Sequence, residues 1–258
     1  MSIDALSTIA AREVTAITAA QMAEADRVAS SVLGVPLEAL MENAAHQVAA
    51  ATRALLGEID GQLIAAVVGS GHNGGDALAA LRHLLAWGAQ VDAFVAAPAE
   101  TLRPLARRQY DILAALGVPL YHTRDHDDGF LVHRLRSRHV VLDGLLGYSA
   151  HGAPRGEILR LIRITNASTP TAIVAVDLPS GLDPDSGAPF AAGPDAAIHA
   201  ALTVTLALPK RGLLQEEARA HIGTLVLADI GIPAKAYEAF GIDTGALFAR
   251  GDLLRVRD

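Results

Sequence analysis

The chain has 258 residues, of which 28 are acidic and 21 basic, giving a formal net charge of −7, and it contains no cysteine. An acidic chain disfavours nucleic-acid binding, which needs clustered positive charge, and the lack of cysteine excludes disulfides, thiolate metal sites and cysteine nucleophiles. No apolar run reaches the ~18 residues of a membrane span, and the stretch from Met1 to Thr15 lacks the basic-then-apolar pattern of a signal peptide, so we expect a cytoplasmic protein.

Residues 14–56 are predicted to be helical, with a break at Gly34-Val35-Pro36. Small and apolar residues recur there every three to four positions, and Gly57 stands where a helix cap is expected. From residue 62, apolar runs such as LIAAVVGSG, HVVLDGLLG and TAIVAVDLPSG alternate with helical segments such as GDALAALRHLLAWG and GEILRLIRITNAS. Apolar strands without alternation, joined by helices, are typical of a parallel sheet covered on both faces.

The sequence therefore predicts an α/β fold. We expect one domain over residues 1–258, with a core at about 14–233 and a short C-terminal element or tail at 234–258. In an open parallel sheet, ligands bind outside the carboxyl ends of the strands, and three loops at such ends are unusual.

The first loop is GSGHNGGD at 69–76, between a predicted strand and a predicted helix. Glycines let the backbone approach an anion closely, and a helix N-terminus offers free N–H groups. The loop lacks the ending of a P-loop and the glycine spacing of the common dinucleotide motif. The alternative interpretation is a tight turn in which Asp76 only caps the helix.

The second loop, DGLLGYSAHGAPRG at 143–156, begins with an acid at the end of a buried strand and suits a ligand lid. Its alternative is an aspartate satisfied by loop amides. The third loop is DLPSGLD at 177–183. A carboxylate leaving an apolar strand is costly to bury unpaired, so Asp177 is either functional or a structural residue that holds the turn.

Two other kinds of site are disfavoured. Ser180 has no obvious histidine and acid partners and no Gly-x-Ser-x-Gly elbow, which disfavours a serine hydrolase. His122 and His126 are four residues apart in a polar segment, but no third ligand stands at a recognisable spacing, which disfavours a transition-metal site.

Together the three loops resemble the YjeF N-terminal-domain family, the NAD(P)H-hydrate epimerases. The family pattern is roughly Gly-x-Gly-Asn-Asn-Gly-Gly-Asp-Gly, then Asp-x-Leu-Phe-Gly, then Asp-x-Pro-Ser-Gly, and the chain has GSGHNGGDA, DGLLG and DLPSG. Further similarity lies in MAEADRVASSVLGVPLEALMENAA upstream and in TVTLALPKRGLL downstream. The resemblance covers about residues 18–233.

The resemblance implies a Rossmann-like, three-layer αβα sandwich with a mostly parallel sheet, usually a homodimer. It implies an isomerase that interconverts the R and S hydrates at C6 of the nicotinamide ring of damaged NADH or NADPH. It also implies a potassium ion held by Asn73, Asp143 and Ser180, since a hard cation prefers oxygen ligands. The substrate-binding residues that it implies are His72, Asn73, Gly74, Gly75, Asp76, Gly147, Tyr148, Ser149, Ala150, His151, Gly152, Ala153 and Asp177.

Epimerisation requires the C6 hydroxyl to leave as water and water to return to the other face. The intermediate is an iminium cation, so the protein must supply proton transfer and negative charge near C6. Asp177 is the first candidate for this catalytic role, and Asp143 is expected to assist indirectly through the ion.

The chain departs from the family pattern at four places. His72 replaces an asparagine, Ala77 a glycine and Leu146 a phenylalanine, and Ala201 stands where many relatives have an acid. His72 and Ala77 leave open an enzyme that acts on another nucleotide-like ligand. A non-catalytic scaffold on the same fold is a further alternative.

Many bacterial relatives continue into a dehydratase domain. The chain is therefore expected to be a stand-alone epimerase or part of a bifunctional protein, cooperating with or fused to an NAD(P)H-hydrate dehydratase.

Overall fold

The computed structural model describes residues 2–191, 193 and 195–257. In that part of the chain nine strands form one sheet. They are β1 (Ser7–Ala10), β2 (Leu63–Val68), β3 (Gln90–Val95), β4 (Leu120–His122), β5 (Val140–Gly144), β6 (Ala172–Val176), β7 (Leu202–Leu206), β8 (Thr224–Ala228) and β9 (Leu253–Arg257). The α-helices are α1 (Ala19–Arg27), α2 (Leu37–Leu56), α3 (His72–Ala86), α4 (Pro104–Ala115), α5 (Asp128–Arg136), α6 (Gly156–Ser168) and α7 (Arg219–Ile222).

The strand order is β1-β9-β8-β7-β6-β5-β2-β3-β4. All neighbouring pairs are parallel except β8 and β9. From β2 the chain moves outward through β3 to β4 and then returns to β5 on the other side of β2. The loops that leave β2 and β5 therefore diverge, and a crevice opens between them at the carboxyl ends of the strands.

Local sequence signals set the helix boundaries. Thr18 caps α1 in a capping box, in which its hydroxyl accepts from the Gln21 amide and the Gln21 side chain accepts from the Thr18 amide. Gly57 ends α2 with a positive φ of 84°. Pro104 occupies the first turn of α4, where its missing N–H has no intrahelical partner to lose.

The core lies on both faces of the sheet because the side chains of a strand alternate between the faces. Ile64, Ala66 and Val68 of β2 belong to a large cluster with α2 and α3. Ala65 and Val67 belong to a second cluster with α5 and α6. The predicted three-layer α/β fold with a mostly parallel sheet is confirmed.

The edge of the sheet differs from the expectation. The N-terminal strand β1 was not predicted, and the stretch 234–258 contains two 3-10 turns and the strand β9. β1 and β9 have only four and five residues, and they pair with each other at the sheet edge. Such short strands are defined by their neighbours in the sheet more than by their own pattern.

Across the described ranges, no helix combines the length and the apolar character needed to cross a bilayer.

Candidate functional site

A cleft of about 380 Å³ opens at the carboxyl ends of the central strands. Its walls come from the loops that follow β2, β5 and β6, from the residues after β7, and from α1 and α2. The residues of the predicted substrate site that line it are His72, Asn73, Asp76, Gly147, Tyr148, Ser149, Ala150 and Asp177. Those that lie outside its lining are Gly74, Gly75, His151, Gly152 and Ala153.

The glycines of the first loop serve close packing between backbone segments. A Cβ on Gly69 would overlap the carbonyl oxygen of Leu145 in the next loop, and one on Gly74 would overlap the carbonyl oxygen of Gly69. A Cβ on Gly75 would lie 2.6 Å from the methyl group of Met41 on α2. The three glycines therefore bring the β2 loop against the β5 loop and against α2.

Two of the departures from the family pattern have a local explanation. Ala77 is fully buried, and its methyl group faces the Cα of Gly144 rather than the cleft. Ala201 precedes β7, at the opposite end of the sheet from the cleft. Neither substitution alters the cleft wall.

His72 does change the cleft. It is the first residue of α3 and lines the cleft, as does Arg103. Partial burial, and secondarily the nearby Arg103 guanidinium, lower the pKa of His72. The imidazole is therefore kept neutral over a wider pH range than that of a free histidine.

The three residues predicted to hold potassium converge behind the cleft wall. Ser180 donates its hydroxyl to Oδ1 of Asp143 at 2.6 Å and accepts from the amide of Leu146 at 2.9 Å. Asn73 donates from its side-chain amide to the carbonyl oxygen of Leu146 at 2.9 Å. Leu146, where the family has phenylalanine, thus joins these side chains through its backbone.

Asp143 is fully buried, and the donors that reach it from the described residues are all neutral. Its partners are the Ser180 hydroxyl, the Ser180 amide at 2.7 Å and the Leu145 amide at 3.2 Å. Burial raises the pKa of Asp143 to about 6, against the lowering effect of these hydrogen bonds. A buried carboxylate without a cationic side chain, beside amide, hydroxyl and carbonyl oxygens, fits a hard monovalent cation.

Asp177 forms a buried ion pair with Lys210. The two residues are 3% and 1% exposed, and the Lys210 ammonium group donates to Oδ1 of Asp177 and to the carbonyl oxygen of Leu206. The other Asp177 oxygen accepts from the Tyr148 amide at 3.3 Å. Both carboxylate oxygens thus have donors, which fixes a negative charge at the cleft.

The backbone at Asp177 is unusual. Asp177 has a φ of 71° and Ala207 a φ of 62°, and these residues directly follow the adjacent strands β6 and β7. A left-handed conformation outside glycine stores strain, and such residues cluster at functional sites. Aspartate tolerates it better than most residues.

A second polar contact joins α1 to the β5 loop across the cleft. The Tyr148 hydroxyl donates to Oδ2 of Asp26 at 2.5 Å. Burial raises the pKa of Asp26, and burial together with the nearby Asp26 raises that of Tyr148. The Lys210 ammonium lies 5.5 Å from the centre of the Tyr148 ring.

Asp76 contributes a third carboxyl group to the cleft. It lies in the first turns of α3 but does not cap the helix, since the N-cap residue is Gly71. Asp76 is 8% exposed, and among the described residues none donates a hydrogen bond to its carboxyl group. Burial first, and then the charges of Asp177 and Asp26, raise its pKa well above the usual value.

The sequence interpretation missed three charged residues of the cleft: Asp26, Arg103 and Lys210. Asp26 and Lys210 lie in the two flanking segments, MAEADRVASS and LALPKRG, on which the family resemblance partly rested. Those segments were the available signal.

The two histidines considered as ligands of a transition metal, His122 and His126, contact aromatic side chains instead. His122 hydrogen-bonds the Tyr110 hydroxyl at 2.9 Å, and the ring of His126 stacks on Phe130. Within the ranges that the structure describes, no group of three or more His, Asp or Glu residues is arranged to hold a metal ion.

The fold and the cleft define a Rossmann-like α/β protein with a ligand-sized site at the switch between β2 and β5. Residues 37–212 match the sequence model of the family described as "YjeF-related protein N-terminus". The chain belongs to this family.

Two curated relatives of the chain differ in length. One, named NAD(P)H-hydrate epimerase, from Dehalogenimonas lykanthroporepellens, is 35% identical over 97% of the chain and 96% of its own length. Another, named bifunctional NAD(P)H-hydrate repair enzyme, from Moorella thermoacetica, is 39% identical over 85% of the chain. The match covers only 41% of that bifunctional protein.

A solved structure supports the fold. A yeast protein covers 94% of the chain, and 100% of its own chain is aligned, with a TM-score of 0.77 and 24% identity.

Proposed function

We propose that the chain is an NAD(P)H-hydrate epimerase, which interconverts the R and S hydrates at C6 of damaged NADH and NADPH as a metabolite-repair enzyme. The observation that carries the proposal is the meeting of three strand-end loops at one ligand-sized cleft, with Asp177 in its wall. The similarity to a relative named for this activity along almost the entire chain supports it.

The cleft suits the charge that develops in this reaction. When the C6 hydroxyl leaves, the ring nitrogen supplies electrons and the ring becomes an iminium cation. Asp177, with its carboxylate fixed by Lys210 and two backbone amides, supplies a pre-oriented negative charge for that cation. Apolar wall residues such as Leu40 and Met41 provide a surface for a planar ring.

We also propose that Asn73, Asp143 and Ser180 hold a potassium ion. When bound, the ion would supply positive charge that offsets the buried Asp143 carboxylate and would keep the β5 and β6 loops together. The oxygen-rich set of side chains around the Leu146 carbonyl supports this assignment.

We further propose that the protein acts in the cytoplasm as a homodimer and cooperates with an NAD(P)H-hydrate dehydratase. The support for cooperation is that bifunctional repair enzymes such as the Moorella thermoacetica relative are more than twice as long as the matched region.

The proposal is tested by mixing the purified chain with one separated hydrate epimer and following the R/S ratio by chromatography, with potassium or with tetramethylammonium as the only monovalent cation. We expect fast equilibration above the spontaneous rate, faster with potassium. Asp177→Asn should abolish this activity while circular dichroism shows an intact fold. Asp111→Asn, an exposed carboxylate paired with Arg107 on α4, is the matched control and should retain full activity.

Two results would contradict the proposal. Equilibration no faster than in buffer would exclude the epimerase, and retained binding of NADPH in that case would indicate a binding or scaffold protein. Undiminished turnover by Asp177→Asn would refute the role of that carboxylate.

A further inference from the structure

The cleft contains a nearly buried carboxyl group, that of Asp76, for which the described part of the chain provides no hydrogen-bond donor. Asp76 is 8% exposed and lines the cleft, yet no described residue donates a hydrogen bond to its side chain or forms an ion pair with it. The Asp76 oxygens are not among the described side-chain atoms that are both fully shielded and unpartnered, so they face the open space of the cleft, where a substrate can reach them. Asp76 does not cap α3, since the N-cap residue is Gly71.

The charges around Asp76 favour its neutral form. Asp177 and Asp26 contribute negative charge, and the only ammonium group among the described lining residues, that of Lys210, is paired with Asp177. The remaining titratable or charged residues of the cleft lining are His72, Arg103 and Tyr148. Burial, and then these carboxylates, raise the pKa of Asp76, so it keeps its proton to a higher pH than an exposed aspartic acid does.

Two other candidates for a proton donor, Tyr148 and Asp177, already have hydrogen-bond partners in the protein. The Tyr148 hydroxyl donates its proton to Asp26 at 2.5 Å, and burial raises its pKa further. Both oxygens of Asp177 accept from donors, one of them the Lys210 ammonium. Asp177 is thus arranged as a fixed anion, and Asp76 is the carboxyl group arranged to carry a proton.

We propose, on the basis of the function proposed above, that Asp76 is the catalytic general acid and base at C6 and that Lys210 is a positioning residue that holds Asp177 as the anion facing the ring. This divides the two tasks of the reaction between two carboxyl groups of the same cleft.

The two half-reactions balance. In the first, Asp76 gives its proton to the C6 hydroxyl oxygen, the C6–O bond breaks with its electron pair on oxygen, and water forms while the ring-nitrogen lone pair becomes the second bond of N1=C6. In the second, a water oxygen bonds to the other face of C6, the N1=C6 pair returns to nitrogen, and the released proton goes to the Asp76 carboxylate. The enzyme regains its initial protonation state and no redox partner is needed.

The test is the pH dependence of kcat, measured from the R/S ratio with the spontaneous rate subtracted. Because the acid must be protonated, the wild-type kcat should fall as the pH rises through the raised pKa of Asp76 in the complex. Asp76→Asn should lose about 10²–10⁴-fold in kcat and should also lose this dependence on pH. Asp76→Glu keeps an acid and should recover at least tenfold over Asp76→Asn together with the pH dependence.

A second readout does not depend on turnover. The infrared difference spectrum between the wild type and Asp76→Asn, recorded at the pH where the wild-type kcat is highest, should contain the carbonyl stretch of a protonated carboxyl group. Asp111→Asn is the matched control, since it removes an exposed, paired carboxylate and should give no such band. Lys210→Met should lower kcat and should move the fall of kcat to higher pH, because the Lys210 charge lowers the pKa of Asp76.

The outcomes separate this assignment from the proposed function. An inactive wild type overturns both. An active wild type with Asp76→Asn within threefold of its kcat, or with an unchanged pH dependence, overturns the role of Asp76 alone, as does an absent protonated-carboxyl band. If Asp76→Asn does not fold, the pH dependence of kcat is compared between the wild type and Asp76→Glu. A wild-type kcat that does not change with pH then overturns the assignment of Asp76.

Discussion

The Lys210 ammonium group donates a hydrogen bond to Oδ1 of Asp177, and both side chains are almost completely shielded from solvent. The pair links the end of β6 to the segment after β7, 33 residues further along the chain. Removing one partner of a buried pair leaves the other charge uncompensated, which usually costs about 3–5 kcal/mol.

We therefore expect Lys210→Met and Asp177→Asn each to lower the free energy of unfolding by about 3–5 kcal/mol. Asparagine is the suitable replacement at 177, because it tolerates the left-handed backbone. In the double variant no unpaired charge remains, so its loss should be smaller than the sum of the two single losses by about 1–3 kcal/mol. Urea unfolding of the four proteins measures this coupling.

The exposed pair Arg107–Asp111 on α4 provides the control cycle. Its coupling should be only about 0.3–0.5 kcal/mol, because water screens both charges. Additive losses at Lys210 and Asp177 would show that the two charges do not stabilise each other.

The glycines of the β2 loop allow a second prediction. A Cβ at Gly69 would overlap the Leu145 carbonyl oxygen, whereas at Gly71 nothing lies within 4 Å. Both residues stand in the same short loop and neither has a positive φ. Gly69→Ala should lower the free energy of unfolding by about 1–3 kcal/mol because the backbone must shift. Gly71→Ala meets no clash and only puts a poorer N-cap residue before α3, so it should cost less than Gly69→Ala, about 1 kcal/mol at most.

Chemical denaturation of both variants checks this prediction. Equal stability of the two would show that the approach between the β2 and β5 loops is not as close as described.

The parts of the site that could be predicted from sequence are those that belong to short motifs in the turns after strands. The three strand-end motifs placed Asn73, Asp143 and Ser180 at adjacent strand ends, and these residues do converge. The alternation of apolar runs with helical segments also made the α/β fold accessible from sequence.

The charged cleft residues that lie outside the three motifs could not be predicted from local sequence. Asp26 lies on a helix that precedes the sheet, and its contact with Tyr148 spans 122 residues. Lys210 follows an apolar run and looks like an ordinary solvated lysine, because burial of a charge depends on a partner that only the tertiary fold supplies. The edge strand β1 was missed for a similar reason, since it pairs with β9 from the far end of the chain. A short C-terminal element was expected at 234–258, but its form as the strand β9 between β1 and β8 was not.

A third prediction concerns the hydrogen bond from Tyr148 to Asp26. Tyr148→Phe removes the donor and leaves a half-buried carboxyl group short of a partner, so the free energy of unfolding should fall by about 1.5–3 kcal/mol. Because the bond also ties the cleft loop to α1, the KM for the hydrate should rise while kcat changes less. Unfolding in urea and steady-state kinetics measure the two effects.

Tyr110→Phe is the matched control, as it removes a hydroxyl that bonds His122 at 2.9 Å, outside the cleft lining. It should leave KM unchanged. A rise in KM in both variants would mean that loss of stability, and not the cleft loop, causes the effect.

The last prediction follows from His221, which stacks on His199 with ring centres 4.4 Å apart and shares a hydrogen bond of 3.0 Å with the Ile198 carbonyl oxygen. Burial first, and then the neighbouring His199, lower the pKa of His221 in the folded chain, although the carbonyl contact acts in the opposite direction. As the pH falls through about 6.5, the usual histidine value, the unfolded chain binds a proton at this residue that the folded chain does not. The stabilisation from this group is therefore present above about pH 6.5 and decreases as the pH falls towards the lower pKa of the folded chain.

Buried acids with a raised pKa, such as Asp143, change the stability in the opposite sense, so the quantity to measure is the difference in unfolding free energy between variant and wild type at each pH. In urea unfolding, His221→Gln should be less stable than the wild type at pH 7.5, and this difference should be smaller at pH 5.5. His133→Gln, at an exposed position on α5, is the control for loss of an imidazole as such. A difference for His221→Gln that is constant across this range would contradict the lowered pKa.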